Sequence, residues 1–380
     1  MLYTDEAGQS QWLFPQPRTD AAPAAVFELP PTPPAAAPTG GDAEGGRGPV
    51  TAAMRGVARV VAWLAQPIVG AGARAIAAQW ESGRRAHALW QVGPGGALVP
   101  PRWAGFVELG PTLLMIHGTF STPQVGFAGW VGTPAFDALA ARYGGRVLTL
   151  AHPSLSASPQ DNIDWLLAQL PAGAPFGGPL DIVCHSRGGL VARELAARAA
   201  AGQAPTVDRV CQVGAPNLGT TLADASRWTV FLDAHTQCLT VLPDSVSTIV
   251  LEGLLCLVKI VGTGVARGLP GLAAMDPLGE WLQTRGAQPV GAARWYTIGA
   301  NYTPDAAASA GLAQRLKRKL SDAAVDAFFA ADNDMVVPSD GCHVPGVPVT
   351  DSLKLAGGAV HHVNYFTARE VQDTLARWLA

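Results

Sequence analysis

Asp181-Ile182-Val183-Cys184-His185-Ser186-Arg187-Gly188-Gly189-Leu190 runs from an apolar strand pattern through a turn of small residues into a helix-forming stretch. A serine forced onto so sharp a strand-to-helix turn presents its hydroxyl at the top of a sheet, the local pattern of a nucleophile elbow. Gly188 and Gly189 give strand and helix room to approach on one side. On the other side Cys184 stands where the G-x-S-x-G pattern has its first glycine, a departure small enough for the turn to close. The plain alternative for Ser186 is an N-cap serine at an ordinary turn.

A serine hydroxyl is a weak nucleophile at neutral pH. It needs a base in contact, an acid that orients the base, and donors for the negative charge that develops on the attacked oxygen. Upstream, Leu113-Leu114-Met115-Ile116 reads as a short buried strand, and His117-Gly118-Thr119-Phe120 follows it. The main-chain N–H groups of Thr119 and of Arg187, the residue after the serine, are the candidate oxyanion donors. Downstream, Asp334 in Ala331-Asp332-Asn333-Asp334-Met335-Val336-Val337-Pro338 is the candidate acid, ahead of Asp332 and Asp340. His362 in Val360-His361-His362-Val363-Asn364 is the candidate base, ahead of His361, so that the order along the chain is Ser, Asp, His. His343 falls in a turn pattern. His117, Phe120 and His185 flank the site as pocket residues. Cys184 lies two positions before the elbow tip, so a thiol nucleophile is not expected. No third ligand is spaced to make the His361-His362 pair a metal site, and neither metal nor cofactor is expected.

Around this centre strand and helix patterns alternate. Strands are expected at 87–92, 106–109, 113–116, 146–151, 180–185, 207–213, 294–299 and 324–331. Helices are expected at 134–143, 160–170, 188–201 and 368–379. Apolar strands alternating with helices imply an α/β fold with a mostly parallel sheet covered on both faces. Between residues 217 and 290 the alternation gives way to helical sequence, the expected lid or cap. Within it Val246 to Val265 is rich in Ile, Val and Leu, suited to an apolar acyl pocket, to a lid in transient contact with a lipid interface, or equally to a core helix of the cap.

The rest of the chain divides by composition. Residues 1–20 are mixed, and 21–49 are so rich in Ala, Pro and Gly that a disordered linker is expected. Residues 50–104 read as a helical extension that could dock a protein partner, and 105–380 as the main domain. The 380 residues are 48% hydrophobic and 14% charged, enough for a large core, and the net charge of −3 offers nothing to nucleic acid. Five scattered cysteines and an N-terminus without a basic, apolar leader point to reduced thiols in a cytoplasm.

Taken together, Ile116 to Phe120, Val183 to Arg193, Gly214-Ala215-Pro216-Asn217-Leu218-Gly219-Thr220, Leu272 to Leu278, Asp334 to Pro338 and His362 to Phe366 resemble the lipase-like branch of the α/β-hydrolase superfamily over about residues 105–380. The resemblance implies an α/β-hydrolase fold with a helical lid, no cofactor, and hydrolysis of an acyl ester through an acyl-enzyme on Ser186 with His362 and Asp334. Acyl transfer or thioester cleavage by the same residues, and a catalytically idle scaffold, are the alternatives.

Overall fold

In the strand Thr112–Ile116, Leu113 and Met115 pack into one buried cluster and Leu114 and Ile116 into another. Successive strand residues point to opposite faces, so a wholly apolar strand requires cover on both. The computed structural model describes residues 2–4, 10–12, 72–107, 110–172, 176–224, 227–228, 230–232, 235, 257, 268–303 and 331–380. The chain divides into two compact units, residues 1–67 and 68–380. In the first, β1 (Leu2–Thr4) and β2 (Ser10–Trp12) pair antiparallel.

The second unit is built on an eight-stranded sheet, ordered β10-β9-β8-β7-β5-β6-β3-β4. Its strands are β3 (Ala88–Val92), β4 (Leu98–Val99), β5 (Thr112–Ile116), β6 (Val147–Ala151), β7 (Leu180–His185), β8 (Val207–Val213), β9 (Arg294–Tyr302) and β10 (Val349–Gly357). The six from β10 to β6 are parallel, and β3 and β4 add an antiparallel edge. One face packs on α3 (Pro134–Arg142) and the C-terminal helix α6 (Arg369–Trp378), through Phe136, Leu139, Val371 and Leu375. The other packs on α4 (Pro159–Gln169) and α5 (Gly188–Ala200), through Ile163, Leu166, Val191 and Leu195. Thr133 caps α3, and Ser158 with Asp161 forms a capping box on α4, so both helices start where a Pro at the first helical position follows a hydroxyl residue. Ahead of this sheet lie α1 (Ala73–Arg84) and, after β5, the one-turn α2 (Pro123–Gly126). This is the α/β-hydrolase fold.

Strand order reverses at β5. The chain goes from β5 outward to β6, then crosses to β7 on the other side and continues to β8, β9 and β10. In such sheets the crevice outside the carboxyl ends of the strands at the reversal is where ligands bind. His117-Gly118-Thr119 leaves β5 there, and Ser186 leaves β7 there.

Several expectations differ from the observed elements. Phe106–Val107 is not a strand. A single 3-10 turn, Trp103–Gly105, precedes Phe106, which packs on Trp103 and Phe176 while its carbonyl accepts from Gly177 N. The sheet includes β3 and β4, ahead of residue 105, so part of the stretch read as a helical extension belongs to it. β10 has no counterpart among the expected strands. Most of the lid stretch Val246 to Val265 and the strand expected at 324–331 lie outside the described residues. The described parts of the insertion are short turns and helical residues, including Pro270–Ala273 and Glu280–Thr284. No helix among the described residues is long and apolar enough to cross a membrane.

Gly188 shows how tightly the elbow is held. A Cβ there would collide with the Ile116 carbonyl oxygen and lie 2.6 Å from that of His117, both backbone atoms of β5 and its exit that cannot rotate away. Gly188→Ala should therefore lower stability by about 3 kcal/mol through overpacking. A urea midpoint shift worth under about 1 kcal/mol would show that β5 and α5 can separate there.

Candidate active site

Ser186 sits at φ 52, a left-handed conformation costly for a residue with a Cβ, with its N–H bonded to Val213 O at 2.9 Å. The strain projects the side chain out of the turn. A Cβ on Gly118 would lie 2.7 Å from Ser186 Cβ, so glycine in the β5 exit is what lets that loop approach the elbow. Cys184 does not face the site. It belongs to the core cluster with Ile182 and Val191, its thiol points at Cys211 O, and burial pushes that thiol well up.

The β7 exit, the loop after β9 and the segment before α6 meet in a hydrogen-bonded line. Ser186 Oγ is 2.8 Å from His362 Nε2, and His362 Nδ1 is 2.8 Å from Asp334 Oδ2. The other Asp334 oxygen accepts from Val336 N at 3.0 Å and Val337 N at 2.7 Å. Burial alone would raise the Asp334 carboxyl; the His362 ring and the Val337 and Val336 N–H groups outweigh it and hold it below the usual carboxylate value. With Asp334 ionised, Nδ1 carries the ring proton and Nε2 faces the serine as acceptor. Asp332 lies outside this line, half exposed and paired with Lys354 at 2.8 Å, and Asp340 is exposed. His361 is buried, but its ring turns to Tyr302.

The N–H groups of Thr119 and Arg187 have no acceptor among the described residues, whereas the neighbouring Phe120 N is taken by Ser154 Oγ at 3.1 Å. Phe120 (φ 57) and Met335 (φ 84) are the other non-glycine residues with positive φ among those described. All three strained residues thus stand at the elbow, beside Thr119 or beside Asp334, where strain is retained only if the surroundings enforce it.

His117 and His185 line the centre as packed histidines. The His117 ring stacks on His152, takes a hydrogen bond from His152 N and gives one to Gly118 O. His185 Nε2 donates to the main-chain oxygen of His362 at 2.7 Å. Burial first, then the nearby His362 ring, pushes His185 down to about 3, so it stays neutral. From the insertion, Phe231 and His235 pack on Phe120, and His235 also meets the His362 ring edge-on. Ser186 is 3% exposed beneath them.

Tyr365 falls within the His362 to Phe366 stretch, where the sequence assigns it no role. Its hydroxyl donates to Asp334 Oδ2 at 2.8 Å, the oxygen that faces His362. Burial and that carboxylate push the phenol well up, so it remains a donor. Nothing but its place three residues after His362 marks it. Gly214 has a physical reason in the same corner, because a Cβ there would meet Tyr365 at 2.9 Å and Asp334 Oδ2 at 3.1 Å. A hollow of about 850 Å³, lined by Phe176, Pro179 and Thr206, opens at the start of β7 and β8, the far end of the sheet from Ser186. No cluster of His, Cys, Asp or Glu among the described residues could hold a metal ion.

Among solved structures the chain is similar to the mature form of the Bacillus licheniformis lipase BlEst2, with TM-score 0.46 and 14% identity over 77% of this chain and 98% of that one. It is similar to phospholipase PlaB from Legionella pneumophila, with TM-score 0.44 and 11% identity over 71% of this chain and 60% of that one. Lipase 1 from Pelosinus fermentans gives TM-score 0.43 and 13% identity over 72% of this chain and 99% of that one. No curated protein matches the sequence. The model described as a domain of unknown function, DUF7379, matches residues 81–380, and the chain belongs to that family.

Proposed function

We propose that the protein is a serine hydrolase of acyl esters. The observation that supports this best is the line Ser186 Oγ, His362, Asp334, with both contacts at 2.8 Å and all three side chains buried. In this reading Ser186 Oγ attacks the ester carbonyl carbon while His362 Nε2 takes its proton. The carbonyl oxygen becomes an oxyanion met by the N–H groups of Thr119 and Arg187. Collapse of the tetrahedral intermediate expels the alcohol, which takes the proton back from His362, and leaves the acyl group on Ser186. Water then repeats the sequence, giving the acid and free serine. Asp334 keeps the proton of the neutral ring on Nδ1 and stabilises the ring when it is cationic, and Tyr365 with Val336 and Val337 keeps Asp334 in place.

The apolar stretch Val246 to Val265 favours a long acyl chain, with lid contact at a lipid interface. Cys184, Cys211 and Cys342 are free and buried, which fits a reducing, cytoplasmic setting. Reaction with a fluorophosphonate probe followed by peptide mapping should place the label on Ser186. A panel of p-nitrophenyl esters should then show kcat/KM rising from acetate to longer chains by at least tenfold. An unlabelled intact protein would instead identify an idle scaffold, and strict preference for acetate would remove the long-chain reading.

A further inference from the structure

Glu81 lies on α1, far in sequence from every residue assigned above, and is 1% exposed. Burying a carboxylate is costly unless its lone pairs are met by donors. Here they are. Oε1 accepts from Ser154 N at 2.6 Å and Leu155 N at 2.8 Å, and Oε2 accepts from Ser156 N at 2.9 Å and Ser156 Oγ at 2.5 Å. Three successive main-chain N–H groups of the loop after β6 thus close around one side chain.

That loop reaches both candidate oxyanion donors. Ser154 Oγ, 3.5 Å from Glu81 Oε1, accepts from Phe120 N and so fixes the peptide that follows Thr119. Ala157 O accepts from the buried Arg187 guanidinium at 2.5 Å, and Gly271 O binds the same guanidinium at 2.8 Å. Arg85, one turn beyond Glu81 at the C-cap of α1, reaches Phe120 O at 3.4 Å. One carboxylate therefore holds a loop that grips the left-handed Phe120 turn on one side and the residue after the serine on the other.

We propose that Glu81 is a positioning residue for the oxyanion pocket, acting through the Ser154 to Ala157 loop on the main chains of Thr119 and Arg187. The proposal rests on the serine hydrolase reading above. Glu81 touches no reacting atom; its part is to set where two N–H groups point. Catalysis by such donors depends on their being fixed before charge develops, so a loosened loop lowers the rate without weakening ground-state binding.

The test compares the full-length wild type with Glu81→Gln and Ile76→Ala, the latter a buried residue of the same helix. Glu81→Gln keeps the volume but turns an NH2 toward N–H donors. Removing one oxyanion donor outright costs about 10²–10³ in kcat, so displacing two is expected to lower kcat on a p-nitrophenyl ester about 30-fold. KM should stay within about threefold, as uniform binding is untouched. Inhibition by a trifluoromethyl ketone, to which Ser186 adds so that the ketone oxygen becomes an oxyanion, should weaken by the same factor as kcat. Ile76→Ala should lower Tm and keep kcat at 25 °C. Should Glu81→Gln fail to fold, Ser154→Ala cuts the same link at Phe120 and should lower kcat about tenfold with KM unchanged. Wild-type kcat and ketone affinity in Glu81→Gln, or an equal kcat loss in Ile76→Ala at equal Tm, would overturn the positioning role. A wild type in which no probe labels Ser186 removes the serine mechanism itself, and this role with it.

Discussion

Ser186→Ala should reduce kcat for ester hydrolysis about 10⁶-fold, to a residual rate still about 10³–10⁴ above the uncatalysed reaction. The substitution deletes one hydroxyl from a chain of two hydrogen bonds and leaves the N–H groups of Thr119 and Arg187 in place, so water can still attack a carbonyl carbon polarised by them. Alanine has the same difficulty as serine with φ 52, so Tm should change by no more than about 3 °C. His362→Ala should cost about as much. The double variant should be no worse than either single one, because in the proposed mechanism nucleophile and base act as a unit and removing either disables both. Steady-state kinetics on one activated ester, with wild-type active sites titrated by the fluorophosphonate and variant concentrations taken from absorbance, checks all three variants. Retention of more than a few per cent of kcat in Ser186→Ala would move the nucleophile elsewhere. Losses that multiply in the double variant would mean the two side chains contribute separately.

The elbow could be read because its constraints are local. A buried strand, a small-residue turn and a helix must follow one another within a dozen residues, and β7 spans Leu180–His185 as the apolar run indicates. Asp334 and His362 could be chosen because chain order is fixed by the fold, although only the structure shows Asp332 turned outward to Lys354. β10 was hidden for a physical reason. It is an edge strand, half exposed, and Asp351, Ser352 and Lys354 interrupt the apolar signal that a central strand would give. The strand expected at Phe106 failed in the opposite way, since aromatic residues that favour a strand are used instead to pack a turn on Phe176. Glu81 could not be found from sequence. On a helix with alternating polar residues a glutamate reads as a solvated one, and its partners are main-chain N–H groups, which no sequence pattern marks.

Acid should unfold the protein with a midpoint near pH 4.5. His117, His185 and His235 are held down to about 3 and His361 to about 4, in each case first by burial, and His152 lies well below its ordinary value for the same reason. An unfolded histidine takes up a proton below about pH 6.5. Between that pH and about 3 to 4 the unfolded chain therefore binds more protons than the folded one, and stability falls as pH falls. Each ring contributes about 1.4 kcal/mol per pH unit in that window. The five together give roughly 7 kcal/mol per unit, enough to exhaust a typical stability of about 5–15 kcal/mol within about one to two units. Asp334 adds to the same trend at lower pH. Its depressed carboxyl stabilises the fold above its ordinary value and loses that contribution as pH falls through the folded one. Ellipticity and tryptophan fluorescence followed from pH 7 to 3 check this, alongside esterase activity. A Tm unchanged within about 3 °C from pH 7 to 4.5 would mean that the buried rings are not kept neutral. Activity lost while ellipticity holds reports a change confined to the site. Loss of both together reports the buried rings, so the two acid limbs separate the chemistry of the site from the stability of the fold around it.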